Sequence, residues 1–346
     1  MVDLPAPGSD GADGVLPPLS SDDDPTIGEA GEGRVLRTIL ARTPAGAFSL
    51  LGPGDDAAVI ATPSGSVVAT TDTLVEGPDF RSAWSSGYDL GWKSAAVNLA
   101  DVAAMGARPT ALLVALAVPR DRRLSFVSAL SDGFRDACAA LAPGCAVVGG
   151  DLTVSATLTV AVTALGDLEG RRAVTRAGAR IGDDVAIAGE TGLAGLGLSV
   201  LFRRFHPGTA AVPVDPSVLA EGESEAIEAQ LRPAPPVGLG VVAAVAGATA
   251  MMDVSDGLAL DAGRLAGASG VTLALDAETL GADPGRALAG GEDHALLATF
   301  PAGVLPPGFR RIGTVVQAVE GAPVLCDGDP VGPRGWDPYR DAGADA

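Results

Sequence analysis

Lysine, aromatic rings and cysteine are all scarce in this chain, and each shortage narrows what it can be. Lys93 is the only lysine among 23 basic residues, which face 43 acidic ones, for a formal charge of −20. A protein that neutralises nucleic-acid phosphates needs a basic face, and none is visible, so nucleic acid is excluded as a partner. The three cysteines, Cys138, Cys145 and Cys326, have neither metal-type spacing nor disulfide density. That usage fits a reducing compartment, and the chain is expected to be cytoplasmic. The longest apolar runs, such as Ala111 to Val118, are far too short for a bilayer. The N-terminus lacks the basic start and apolar stretch of a signal peptide, so no membrane partner is expected.

What is present points to an α/β protein. Hydrophobic residues make up 47% but aromatics only 4%, so the cores must be filled by Ala, Val and Leu, with 47 glycines for turns and close packing. A length of 346 residues suggests two domains. Residues 1–25 hold six aspartates and no basic residue, which predicts a disordered acidic tail. The first domain is expected over 26–170, the second over 171–340, with a short tail at 341–346. Periodicity predicts helices over Gly31–Thr43, Asp89–Gly106, Leu124–Leu141, Leu193–Arg204, Val237–Ala246 and Leu258–Ala268. Strands are expected over Thr110–Val118, Cys145–Val148, Thr157–Leu165, Asp184–Ala188, Ala250–Val254, Val271–Asp276, Ala295–Phe300 and Arg311–Val316. Asp56–Ala61 and Ser66–Asp72, separated by Thr62-Pro63-Ser64-Gly65, read as a hairpin, and 206–234 as an irregular excursion.

Acidic motifs recur at strand ends and on a helix face: Gly54-Asp55-Asp56-Ala57, Thr70-Thr71-Asp72-Thr73, Gly149-Gly150-Asp151, Asp253-Val254-Ser255-Asp256-Gly257, and Asp101 after Asn98. Asp beside Gly is also ordinary turn chemistry. Jointly, though, such carboxylates would repel unless a cation sat among them. Mg²⁺ takes one or two carboxylates and fills its other positions with waters and substrate phosphates, which lets an acidic protein bind an anionic nucleotide. Other phosphate devices are missing: the lone lysine follows Gly91-Trp92, no P-loop run exists, and the glycines at 189, 192, 195 and 197 depart from the dinucleotide spacing.

Several longer stretches occur in one order: Gly-Asp-Asp-Ala-Ala-Val at 54–59, Thr-Thr-Asp-Thr-Leu-Val-Glu-Gly at 70–77, Ala-Val-Asn-Leu-Ala-Asp-Val-Ala-Ala-Met-Gly-Ala at 96–107 and Gly-Gly-Asp at 149–151. Thr-Arg-Ala-Gly-Ala-Arg-Ile-Gly-Asp at 175–183, Asp-Val-Ser-Asp-Gly-Leu at 253–258 and Gly-Gly-Glu-Asp-His-Ala-Leu at 290–296 follow. Together they resemble the thiamine-monophosphate kinase family, which shares its fold with aminoimidazole ribonucleotide synthetase. The resemblance covers nearly all of 27–339.

It implies a two-domain fold of mixed α/β sheets, the first domain pairing with that of a second subunit in a barrel-like homodimer core. It also implies that Asp56, Thr70, Thr71, Asp72, Asp101, Asp151, Asp253 and Asp256 hold several Mg²⁺ ions. Asp151 and Asp72 would serve the transfer itself, Gly150, Asp151, Arg176 and Ser255 would meet ATP, and Glu292 and Trp336 would face the thiamine acceptor. Arg176 also fits a connector salt bridge, and Trp336 a cover on the domain edge. The chain departs from the family pattern at Asp79, where a substrate-touching histidine is usual, at Pro338, and at Leu130-Ser131, where an aromatic often flanks adenine. These changes fall on acceptor or base recognition and leave the metal set intact. The implied reaction is direct in-line transfer from MgATP to thiamine monophosphate, within thiamine diphosphate biosynthesis. A non-catalytic or differently specific MgATP binder of the same superfamily is the alternative.

Overall fold

The structure is a computed structural model that describes residues 24–44, 46–51, 59–332 and 335. The described residues begin just inside the expected tail. Asp24 accepts from both the amide and the hydroxyl of Ser125 at 2.7 Å, capping the helix that starts there, and so belongs to the folded body. Helices α1 (Ile27–Ala30) and α2 (Glu32–Leu40) follow, α1 opened by a capping box between Thr26 and Glu29.

The hairpin expected around Thr62–Gly65 does not form. Strand β1 (Ser49–Leu51) pairs with β2 (Val59–Ile60) in a small sheet of its own, while β3 (Val68–Val75) joins a different sheet. The turn signal is local, and the pairing was decided by distant partners. With β4 (Arg108–Val118), β5 (Ala146–Val154) and β6 (Thr159–Asp167), β3 makes a four-stranded sheet in the order β3-β6-β4-β5. Only β4 and β5 run parallel, and they are joined across helix α4 (Leu124–Leu141). Helix α3 (Gly87–Ala104) packs with α4 on one face of this sheet. The other face carries Leu113, 36% exposed, and stays open.

Beyond the connector, the chain builds β7 (Asp184–Ala188), α5 (Leu193–Phe205), α6 (Glu223–Leu231), α7 (Val237–Ala246), β8 (Ala250–Val254), α8 (Leu258–Ser269) and β9 (Val271–Leu275). Then come α9 (Pro284–Ala289), β10 (Ala295–Phe300), β11 (Arg310–Gln317), β12 (Val324–Cys326) and β13 (Asp329–Pro330). These strands form a seven-stranded sheet, β13-β12-β9-β11-β7-β10-β8, antiparallel except where β12 meets β9. The stretch 206–234, expected to be irregular, contains α6.

Continuous apolar strands are explained by burial on both faces. Ala186, Ala188, Leu296 and Ala298 enter the same cluster as α3 and the first sheet, whereas Val185, Ile187 and Leu297 enter a second cluster under α8. Helix α3 is therefore shared: it touches β3 and β6 on one side and β8 and β10 on the other. That position lets one helix carry side chains from the first sheet to the second.

Candidate functional site

In β3 successive side chains alternate between faces. Thr70 and Asp72 face α3, where the Thr70 hydroxyl donates to Asp101 Oδ2 at 2.7 Å and the Asp72 amide donates to Asn98 Oδ1 at 3.1 Å. From the second sheet Asp253, at the end of β8, joins them. Its Oδ2 lies 3.1 Å from His294 Nδ1. The carboxylates feel one another. Burial, then the charges of Asp253 and Asp72, push Asp101 up to about 7, and burial likewise raises Asp72. For His294, burial opposes protonation, but the bond to Asp253 and the charges of Asp253 and Glu292 together outweigh it and raise the imidazole.

The expected ligands do not all collect at this point. Thr71 points to the open face, donating to the Val162 carbonyl at 2.9 Å. Asp151 stands mid-strand in β5, not at a strand end, and opposite Ala115 on β4. Strands β3 and β5 are the two edges of the sheet, so Asp72 and Asp151 are separated by three strand spacings, about 14 Å. Asp151 lines a separate groove of about 920 Å³ with Leu36, Ile39, Leu113, Phe134 and Gly150. Gly150 has a packing reason of its own: a Cβ there would lie 1.9 Å from the Val114 carbonyl oxygen, beside the bulge where β4 and β5 shift register.

Asp256 is held by Arg264 Nη1 at 2.6 Å, which also grips the fully buried Asp261 at 2.6 Å. Burial pushes Asp261 up to about 6. Ser255 offers its carbonyl to the Glu292 amide at 2.8 Å, and Arg176 lies exposed in the connector, where Thr175 accepts from the Met251 amide at 3.0 Å. Asp79 turns back on its own loop, accepting from the Val75 amide at 2.8 Å, and burial raises it. Asp56 and Trp336 lie outside the described residues. Sequence reasoning missed the contacts of Asn98, Asp261 and Gln230 and the place of His294 beside Asp253. A histidine two residues past the Gly290-Gly291-Glu292 turn was the available signal, but a lone histidine has no chemical direction until its neighbour is known.

The donor set suits Mg²⁺. Among the described residues no three acidic or histidine side chains form a preformed metal cage. Mg²⁺ instead takes few carboxylates and completes its shell with water and phosphate. Asp72, Asp101 and Asp253, crowded together, are the carboxylates that could offer such ligands. The crowding has a measurable sign. Between about pH 4 and 7 folded Asp101 keeps a proton that the unfolded chain, near the usual 3.8, has lost, so this contribution to stability disappears as pH rises. In EDTA the protein is expected to melt at a higher temperature near pH 5 than near pH 7.5, and added MgCl₂ to raise the melting temperature more at pH 7.5. Equal Mg²⁺ stabilisation at both pH values would contradict this.

Comparison with known proteins gives a family. Residues 54–168 match the model of the AIR synthase related protein, N-terminal domain. Thiamine-monophosphate kinase of Mycobacterium tuberculosis is 38% identical over 333 residues, 92% of this chain and 94% of that one. Among solved structures, thiamine monophosphate kinase of Aquifex aeolicus superposes with a TM-score of 0.67 at 33% identity, covering 79% of this chain and 91% of that one. AaThiL complexed with AMPPCP and TMP superposes with a TM-score of 0.69 at 32% identity, covering 89% and 97%. With identity at this level running over nearly the full length, and with the same mixed two-sheet architecture, the chain belongs to the thiamine-monophosphate kinase family.

Proposed function

We propose that this chain moves the γ-phosphate of ATP onto thiamine monophosphate, giving ADP and thiamine diphosphate, in a Mg²⁺-dependent in-line transfer. The observation that carries it is the carboxylate cluster of Asp72, Asp101 and Asp253, drawn from both sheets and pressed together against its own charge. The relative complexed with AMPPCP and TMP supports both substrates, AMPPCP being an ATP analogue.

Each residue has a part in that reaction. Asn98 fixes the β3 backbone at Asp72, and Thr70 orients Asp101. Asp72, Asp101 and Asp253 would hold Mg²⁺, which supplies charge cancellation on the transferring phosphoryl group. The acceptor is a phosphate monoester with a second pKa near 6, largely dianionic at neutral pH, so no protein base is required. The apolar groove beside Gly150 and Asp151 suits an adenine and its first phosphates. Glu292 would meet the cationic acceptor.

A division near residue 170 and a homodimer belong to the same proposal. The edges β3 and β5 are unpaired among the described residues, and they carry Asp72 and Asp151. Exposed edges invite pairing, and closing two such sheets edge to edge into a barrel would bring the two carboxylates toward each other across the subunit boundary. The test is to incubate purified protein with thiamine monophosphate, ATP and Mg²⁺ and follow thiamine diphosphate as thiochrome. Product that EDTA abolishes is expected. ATP binding without product would favour a different acceptor or a nucleotide-binding role, the outcome that Asp79 held in its own turn would then explain.

A further inference from the structure

Three consecutive residues between α9 and β10 are each fastened to a different element. Glu292 is ion-paired with Lys93 of α3. Asp293 accepts from the amides of Gly192 and Ala194, at 2.5 and 2.8 Å, at the start of α5. His294 meets Asp253 of β8. The fastening holds an unfavourable backbone, since Glu292 and His294 sit at φ of 72° and 55°, in the left-handed region that non-glycine residues avoid.

Lys93 is the cationic fastener in this set, and it is only 5% exposed. Its Nζ lies 3.2 Å from the Gln230 carbonyl. In the orientation that satisfies both its ends, the Gln230 side chain donates to the Ala194 carbonyl at 3.0 Å and accepts from Lys93 Nζ at 3.0 Å. The contacts close a ring from Lys93 through Gln230 and Ala194 to Asp293 and back to Glu292. Within it, Glu292 Oε2 is shut off from solvent, although the side chain as a whole is 39% exposed. Lys93 thus grips one carboxylate oxygen and leaves the rest of the group free to meet a ligand.

We propose that Lys93 is a positioning residue for the acceptor, holding Glu292 where its free oxygen meets the cationic part of thiamine monophosphate. This rests on the proposed reading that Glu292 meets the acceptor. Two effects compete. The ammonium cancels part of the charge by which Glu292 attracts a cation, and it fixes where that charge sits. Fixing dominates here because Oε2 is sealed from water. Without Lys93 the buried oxygen loses its nearest counter-charge and keeps only the more distant pull of His294, so the carboxyl is driven to take a proton or swing outward, and either removes the anion from its place. Lys93 also anchors the turn to the helix that carries Asn98 and Asp101, so the acceptor and the metal cluster share one rigid support.

Lys93→Met in the full chain is expected to raise the KM for thiamine monophosphate about tenfold or more while the KM for ATP stays within about twofold. Glu292→Gln is expected to raise the same KM, and the double variant to be no worse than Glu292→Gln alone, because Lys93 acts only through Glu292. If Lys93→Met fails to fold, Gln230→Leu decides: it keeps both charges, loosens the ring, and is expected to give a smaller rise in the acceptor KM only. An acceptor KM that is unchanged or lower in the Lys93 variant, equal rises in both KM values, or additive losses in the double variant would overturn the inference. A Glu292→Gln enzyme with an unchanged acceptor KM would instead remove the acceptor from Glu292, and the reading beneath it falls as well.

Discussion

Asp151→Asn is expected to lower turnover about a thousandfold, the scale of losing one well-placed charge partner of a phosphoryl transition state, while the melting temperature stays within about 2 °C. The two halves of this result have different physical origins. Asp151 is exposed on an edge strand, and Asn matches its shape, so the fold loses little. Asn keeps an acceptor oxygen but has no charge to offer a Mg²⁺ ion, so the ATP phosphates lose a partner. Asp72→Asn is the informative comparison. Asp72 is already raised by burial and by its carboxylate neighbours, so neutralising it relieves repulsion in the metal-free protein. Asp72→Asn is therefore expected to lose activity and gain stability in EDTA, whereas Asp151→Asn loses activity alone. An Asp151→Asn enzyme with full turnover would take that residue out of the transfer machinery. The groove beside it would then be a binding surface without a catalytic part.

How far the sequence foretold this molecule depended on whether the deciding interaction was local. Strands β7, β8 and β10 were legible to the residue, because a short apolar run buried on both faces needs no information about its partners. The β2–β3 hairpin failed for the opposite reason: Thr62-Pro63-Ser64-Gly65 is a good turn, yet β3 found its partner in β6, nearly a hundred residues on. Helix α6 was hidden by the prolines and glycines around it. At the site, motif order singled out a set of carboxylates but not which face of a strand each uses. The Thr70-Thr71-Asp72 motif splits, Thr71 pointing away from the cluster that its neighbours join. Likewise nothing in the sequence showed that Asp256 is paired with Arg264. Lys93, conspicuous as the only lysine, acquired a function only once Glu292 was found beside it.

Gly91→Ala is expected to lower the melting temperature by about 5 °C or more, against the direction helix propensity alone would give. In the interior of an exposed helix, Ala is favoured over Gly by about 1 kcal/mol. Gly91 is different because α3 and α4 approach so closely there that a Cβ would fall 2.0 Å from the Leu130 carbonyl oxygen. The helices meet with Gly133 on the other side, where a Cβ would fall 2.1 Å from the Tyr88 carbonyl oxygen. Backbone cannot step aside as a side chain can, so the helices must separate, and overpacking of this kind costs about 1–3 kcal/mol or more. Gly267→Ala in α8 is the matched control, since nothing lies within 4 Å of the added methyl, and it is expected to raise the melting temperature. The catalytic consequence follows from what α3 carries. Lys93, Asn98 and Asp101 lie along it, gripping Glu292, the Asp72 amide and Thr70 in turn. A shift of this helix displaces the acceptor contact and the metal carboxylates together, so Gly91→Ala should lose kcat/KM for both substrates even well below its melting temperature, and Gly267→Ala should not. Wild-type kinetics in a destabilised Gly91→Ala protein would show that the site does not depend on α3 for its geometry.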